Sequence, residues 1–205
     1  MCYRTKLNSE LSKIENSFNA TFVKPKNYNP QLEINGFSFS PNPVILDEDR
    51  GHINFANWGL IPFWAKNDQI KKMTLNARIE TANEKPAYRS VVKNRCLILA
   101  DGYYEWQWID PKGKEKQKYL IMPEDQQIFG FAGFYSDWTN PETNEKVTSY
   151  TIATTDANEL MAEIHNNKKR MPIIIKEKDR NDWLNGLDLK HFAYPYDVNL
   201  KAEKV

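Results

Sequence analysis

The sequence predicts an α+β fold, a curved or barrel-like antiparallel sheet with helices at its periphery. Two observations carry that expectation. Five segments are rich in Tyr, Trp, Phe, Ile and Val, and short stretches of turn chemistry join the later ones. A third observation, that composition does not shift along the chain, predicts that residues 1–205 form one domain.

Taken in order, the first 50 residues combine an amphipathic stretch, Glu10 to Phe18, with Pro- and Asn-rich loops through Pro25, Pro30, Pro41 and Pro43. Strands are expected at Ile53–Trp58, Cys96–Ile109, Gln117–Met122, Ile128–Trp138 and Ser149–Thr154. The turns between the later ones are Asp110-Pro111-Lys112-Gly113, Pro123-Glu124-Asp125 and Asn140-Pro141-Glu142-Thr143-Asn144. Such spacing reads as an antiparallel meander. Two helices interrupt or close it. Thr155-Asp156 can cap one that carries Leu160, Met161 and Ile164 on one face and ends near His165. Lys176 to Leu184 reads as the other, with Trp183 and Leu184 inward and Gly186 as its stop.

Composition narrows the function. Hydrophobic residues make up 40% of the 205 and aromatics 13%, enough for a packed core and too much for disorder. No apolar run is long enough to span a bilayer, and no apolar h-region follows the N-terminal charges. The expected compartment is therefore the cytosol, with no membrane partner. A net charge of +1 provides no global field for nucleic acid, so any such binding must use a local basic surface. Cys2 and Cys96 lack metal-site spacing, and neither a metal nor a cofactor is expected.

Five places can carry chemistry. If Met1 is removed, Cys2 holds a free α-amine and a thiol on adjacent carbons. An α-amine titrates at about 7.7–8.0, against about 10.4 for Lys, so part of it is neutral at physiological pH. A neutral amine adds to an aldehyde to give an imine. The thiol can then close on the imine carbon as a five-membered thiazolidine. On its own, Cys2 reads equally as a small residue at a frayed end. Asn76-Ala77-Arg78 with Glu80-Thr81 offers an amide and a guanidinium fork suited to phosphate, or a solvated polar strand. Asp101 to Trp106 places Glu105 among aromatic rings. There it is either a desolvated proton donor or an exposed strand carboxylate paired with a Lys. His165 closes a helix and can trade protons near neutrality, or simply cap it. Trp58 to Trp64 is an aromatic loop on which bases can stack; Trp64 is the residue expected to be exposed, and Trp58 reads as core. His52 and His191 have no such setting.

The order of these motifs resembles the SRAP family (SOS response-associated peptidase domain proteins). The matching residues are Met1-Cys2-x-Arg4, Trp58-Gly59-x-x-Pro62-x-Trp64 and Asn76-Ala77-Arg78-x-Glu80-Thr81. They continue through Cys96-x-x-x-Ala100-Asp101-Gly102-x-Tyr104-Glu105-Trp106 to Ile164-His165 and Arg170-Met171-Pro172. The resemblance implies a barrel-like β core, a basic groove for single-stranded DNA, and capture of an abasic-site aldehyde by Cys2 as a thiazolidine crosslink. It further implies that Asn76 orients the amine and sugar, that Glu105 handles protons on the opening sugar and imine, and that His165 assists Schiff-base, strand-cleavage or reversal steps. Arg4, Arg78, Arg89 and Arg170 would meet phosphates, Trp64 and Pro41 would lie beside bases, and Thr154 would sit near the lesion pocket. The resemblance also implies a peptidase activity on residues ahead of the cysteine, expected to be marginal here because only Met1 precedes Cys2 and a methionine aminopeptidase suffices.

The chain departs from the family pattern twice. Tyr3 stands where Gly is usual, and Asn166 to Lys169 lengthen the link from His165 to Arg170. Two other readings stay open: a cysteine hydrolase of the N-terminal-nucleophile type with Glu105 or His165 as base, and a non-catalytic single-stranded nucleic-acid binder. A monomer is the expected state.

Overall fold

The computed structural model describes residues 2–205; the expected removal of Met1 concerns a residue outside them. The first half of the chain runs β1 (Arg4–Leu7), α1 (Leu11–Phe18), β2 (Thr21–Phe22), β3 (Gln31–Asn35), β4 (Pro41–Leu46), β5 (Asp49–Trp58), β6 (Asn76–Arg78) and β7 (Arg95–Ala100). The second half runs β8 (Gly102–Trp108), β9 (Lys116–Pro123), β10 (Phe129–Thr139), β11 (Lys146–Asp156), α2 (Glu159–Ile164), β12 (Arg170–Pro172), β13 (Ile174–Ile175), α3 (Arg180–Leu184) and β14 (Leu200–Lys204).

The barrel closes through five strands. β11 pairs β10, β10 pairs β7, β7 pairs β4 and β4 pairs β5, all antiparallel. A parallel contact at Ser149↔Asn57 and Tyr150↔Trp58 returns the ring to β11. The closure is packed as well as hydrogen-bonded. The Trp58 and Tyr150 rings stack with centroids 6.1 Å apart, and Trp58 Nε1 donates to the Leu75 carbonyl at 2.9 Å. Inside the ring there is no room to spare: a Cβ on Gly133 would meet Ile98 Cδ1 at 2.1 Å and the Thr151 carbonyl at 2.9 Å. Glycine is there to let three strands approach.

A second sheet, ordered β14-β9-β8-β1-β3, lies beside the barrel. The segment expected as one strand, Cys96–Ile109, is split between the two sheets at Asp101. The reason is local. The buried Asp101 carboxylate accepts from Lys6 Nζ at 2.9 Å, from the Asn8 backbone N–H at 2.7 Å and from Ser9 Oγ at 2.8 Å. Those bonds hold the end of β1 against the corner where the chain changes sheet.

The peripheral helices are shorter than their patterns suggested. α1 follows the amphipathic stretch and buries Ile14. The cap of α2 is Asn158, whose Oδ1 accepts from Met161 N at 2.9 Å; Thr155 and Asp156 still belong to β11. Lys176 to Leu184 divides into a 3-10 turn, Glu177–Asp179, and α3. Trp183 and Leu184 are buried as expected, and Gly186 ends the segment at φ +82°. The first 50 residues, expected to be loops and one helix, hold four complete strands and the start of β5. The Pro-rich run Pro41 to Pro43 is one of them, because β5 and β7 both pair with β4. No helix among the described residues is long and apolar enough to cross a membrane.

Candidate active site

Both sheets hold the start of the chain. β1 pairs β8 with Arg4 opposite Tyr104, which carries Cys2 toward Glu105 and Trp106. From the β3 side, the Gly36 N–H donates to the Tyr3 carbonyl at 2.9 Å. From the barrel side, Asn76 Nδ2 donates to the Cys2 carbonyl at 2.8 Å. Asn76 can do this because β6 runs parallel to β11, pairing at Ile152↔Asn76, and Tyr88 Oη donates to its carbonyl at 3.0 Å. The other amide atom, Asn76 Oδ1, is buried and has no hydrogen-bond partner among the described residues. An acceptor left open beside Cys2 suits a donor on a bound substrate.

Cys2 is fully buried. Burial pushes its thiol well above the ordinary range, and the nearby Glu105 charge adds to the effect. At neutral pH Cys2 is therefore a thiol, not a thiolate, and among the described residues its Sγ makes a long contact to the Arg4 carbonyl at 3.7 Å. Glu105, 4% exposed on β8, is the second member. Burial raises its carboxyl to about 7, so it can give or take a proton near neutrality.

His165 is the third. It follows the last turn of α2, and α2 is held against β8 in part by the contact of Tyr103 Oη with Met161 Sδ at 3.3 Å. Its Nε2 lies 4.0 Å from Glu105 Oε2. Burial depresses its pKa to about 4, so the ring is neutral at physiological pH. Cys2, Asn76, Glu105 and His165, which are 74, 29 and 60 positions apart in the sequence, thus form one group where the two sheets meet, buried at Cys2, Glu105 and His165 and half-buried at Asn76.

The expected DNA contacts divide into two sets. Pro41, Trp64, Arg78 and Arg89 are exposed, Trp64 at 48%. Arg4 is partly exposed and bonded to Glu33 at 2.7 Å. Arg170 and Thr154 are not at the surface. The Arg170 guanidinium, 4% exposed, meets Glu80 at 2.7 Å, Asp156 at 2.6 Å and the Thr154 carbonyl at 2.8 Å. A phosphate would have to displace that whole set, so the role expected for Arg170 does not fit its position. Thr154 is fully buried beneath it, with Oγ1 on the Ala77 carbonyl at 3.3 Å. Sequence reasoning missed Tyr88, the support of Asn76, and Phe63, which is 64% exposed beside Trp64. Nothing in the sequence marks Tyr88. Phe63 lies within the same aromatic loop as Trp64 and is the more exposed of the two.

The family model described as SOS response associated peptidase (SRAP) matches residues 1–205. The chain belongs to the SRAP family. Among SRAP relatives, the abasic site processing protein YoqW of Bacillus subtilis is 38% identical over 206 residues, covering 97% of this chain and 89% of that one. The abasic site processing protein HMCES of Gallus gallus is 35% identical over 168 residues, covering 66% of this chain and 48% of that one. A crystal structure of a Bacteroides thetaiotaomicron protein superposes with a TM-score of 0.90 at 31% identity, covering 100% of this chain and 92% of that one. Another, from Bordetella bronchiseptica, has the same fold, with a TM-score of 0.82 at 23% identity.

Proposed function

We propose that this SRAP protein processes abasic sites in single-stranded DNA by bonding Cys2 covalently to the sugar aldehyde. The observation that carries the reading is the buried group itself. Asn76 Nδ2 holds the Cys2 carbonyl at 2.8 Å, the Glu105 charge acts on the Cys2 thiol, and His165 Nε2 lies 4.0 Å from Glu105 Oε2. The relatives named abasic site processing proteins supply the substrate class.

The chemistry starts once Met1 is lost and the α-amine belongs to Cys2. Protonated Glu105 gives a proton to the ring oxygen of the lesion sugar while neutral His165 accepts one from its hydroxyl, opening the ring to an aldehyde. The amine adds to the aldehyde carbon, and loss of water leaves an imine. The thiol then adds across the C=N bond: sulfur bonds to carbon and the thiol proton ends on nitrogen. The sum is one thiazolidine and one water, with no oxidant or reductant. Glu105, with its pKa near 7, can take the thiol proton in that last step. Trp64, Phe63 and Pro41 supply base contacts, and Arg4, Arg78 and Arg89 supply phosphate contacts. The same imine is the intermediate from which strand cleavage would proceed. The protein acts as a cytoplasmic monomer in this reading.

The hydrolase reading needs an activated thiolate, and the neutral, buried thiol of Cys2 speaks against it. The purely binding reading leaves the buried group without a purpose. The test is incubation of the protein lacking Met1 with single-stranded DNA carrying one abasic site. A heat-stable, slowly migrating adduct is expected from wild type and at least 100-fold less from Cys2→Ala. Equal adduct from both proteins overturns the proposal.

A further inference from the structure

Arg170 was expected at a phosphate and is instead built into the interior, close behind His165. The relation between the two residues has a chemical consequence. His165 Nδ1 lies 2.7 Å from the Arg170 carbonyl oxygen. A carbonyl cannot donate, and two acceptors do not approach to 2.7 Å without a hydrogen between them, so the proton sits on Nδ1. The backbone N–H of Arg170 also points at Nδ1, at 3.3 Å, but that longer contact would require a bare nitrogen and yields to the shorter one. With the proton fixed on Nδ1, Nε2 presents a lone pair toward Glu105, 4.0 Å away.

That carbonyl is kept in place from the far side of its own residue. Four residues separate His165 from Arg170, and Lys169 at the end of that link takes a left-handed φ of +50°. Arg170 opens β12, which pairs with β11 over only three residues, Asp156↔Arg170 to Thr154↔Pro172. Such a short strand start is prone to fray. Its guanidinium bolts it down with Nη2 on Glu80 and the Thr154 carbonyl and Nη1 on Asp156. Asn166 steadies the other end of the link, pairing with Trp108 on β8 through its N–H at 3.1 Å and its carbonyl at 2.9 Å.

The geometry points to Arg170 as a positioning residue: the bonds of its buried guanidinium to Glu80, Asp156 and the Thr154 carbonyl hold its own carbonyl where it fixes the Nδ1–H tautomer of His165. It does not touch the substrate, and it does not bind phosphate. The consequence for catalysis rests on the proposed abasic-site chemistry, whereas the tautomer itself does not.

The two can be tested apart. Three histidines are present, so long-range proton–nitrogen spectra of 15N-histidine-labelled protein are simple, and His165→Gln assigns the signal. Wild-type His165 at pH 7 should show a protonated, pyrrole-like Nδ1 and a bare Nε2. In Arg170→Gln the signals should move to averaged positions, a mixture of both tautomers. Glu80→Gln, which keeps Arg170 on Asp156 and Thr154, should move them in the same direction by less, and it is the deciding variant if Arg170→Gln does not fold. An unchanged Nδ1–H signature in a folded Arg170→Gln, or in Glu80→Gln where that variant decides, overturns the inference. On abasic DNA, Arg170→Gln should crosslink about ten- to hundred-fold more slowly, and the double variant with His165→Gln no more slowly than His165→Gln alone. The salt dependence of binding to single-stranded DNA should be unaltered. A slope reduced by about 0.7, one phosphate contact, overturns the inference in favour of direct DNA binding. If no protein forms an adduct, the chemical proposal fails while the tautomer result stands.

Discussion

Glu105 Oε2 and His165 Nε2 face one another across 4.0 Å, and burial displaces their pKa values past each other, the acid up to about 7 and the imidazole down to about 4. At neutral pH the proton therefore resides on the carboxyl for part of the population and the ring is neutral. Groups so inverted suit proton exchange with a substrate better than an ion pair would, because neither is committed to the other's charge.

The same inversion shapes stability. Glu105 binds its proton more tightly in the folded state, so its contribution is present below about 4.5 and lost as pH rises through about 7. His165 holds its proton less tightly when folded, so its contribution is present above about 6.5 and lost as pH falls through about 4. Each effect is on the order of 3 kcal/mol, and between about 4.5 and 6.5 they oppose one another. Wild type should show a flat stability there and a decline from about pH 6.5 to 8. Glu105→Gln should instead rise from about pH 4 to 6.5 and then stay level. Urea midpoints taken across this range decide it; a decline above pH 6.5 in Glu105→Gln would place the titrating group elsewhere.

Catalysis should follow the same carboxyl. If protonated Glu105 opens the sugar, the rate of adduct formation falls as pH rises through about 7. Glu105→Gln should be slower by on the order of 10²–10⁴-fold and lose that pH step. Rates of adduct formation from pH 6 to 9, with DNA saturating, measure both. A preserved step near 7 in the variant rules out Glu105 as its source.

How far the sequence made this visible depended on distance along the chain. The aromatic strands and their turns are local patterns, and they were legible from Cys96 to Thr154. The sheet change at Asp101 was not, because its cause lies in Lys6, Asn8 and Ser9, more than 90 positions earlier. Cys2, Asn76, Glu105 and His165 each suit more than one environment, and only their order in the chain linked them. Arg170 shows the opposite failure. The family resemblance implies a phosphate contact for it, while its partners Glu80 and Asp156 lie 90 and 14 positions away with no pattern joining them. Burial of a charge is decided by what the fold brings to it.

Asn76 should prove partly structural and partly chemical. Asn76→Ala removes one hydrogen bond to the Cys2 carbonyl, about 1 kcal/mol, or roughly 2–4 °C in Tm. Asn76→Asp keeps the shape but sets a negative charge beside a thiol and a carboxyl whose protonated forms burial already favours. Its pH step for adduct formation should therefore be displaced upward from the wild-type position. Melting curves and pH–rate profiles of the two variants separate the effects. A step for Asn76→Asp at or below the wild-type position would show that residue 76 does not share the electrostatic environment of Glu105.

Trp64 and Arg78 should separate stacking from charge. Both are exposed, in contrast to Cys2, Glu105 and His165. Trp64→Ala should weaken single-stranded DNA binding by about 1–3 kcal/mol, the worth of one stacked base, with the salt dependence unchanged. Arg78→Ala should reduce the slope of log affinity against log salt by about 0.7, one phosphate contact on a single strand, and its loss of affinity should shrink as salt rises. At saturating DNA both variants should form adduct at the wild-type rate, because neither side chain belongs to the Cys2, Asn76, Glu105 and His165 group. Titrations at several salt concentrations, paired with single-turnover rates, decide it. A slower rate at saturation for Trp64→Ala would mean that the aromatic loop helps seat the lesion at Cys2, and that binding and chemistry share a surface rather than adjoin.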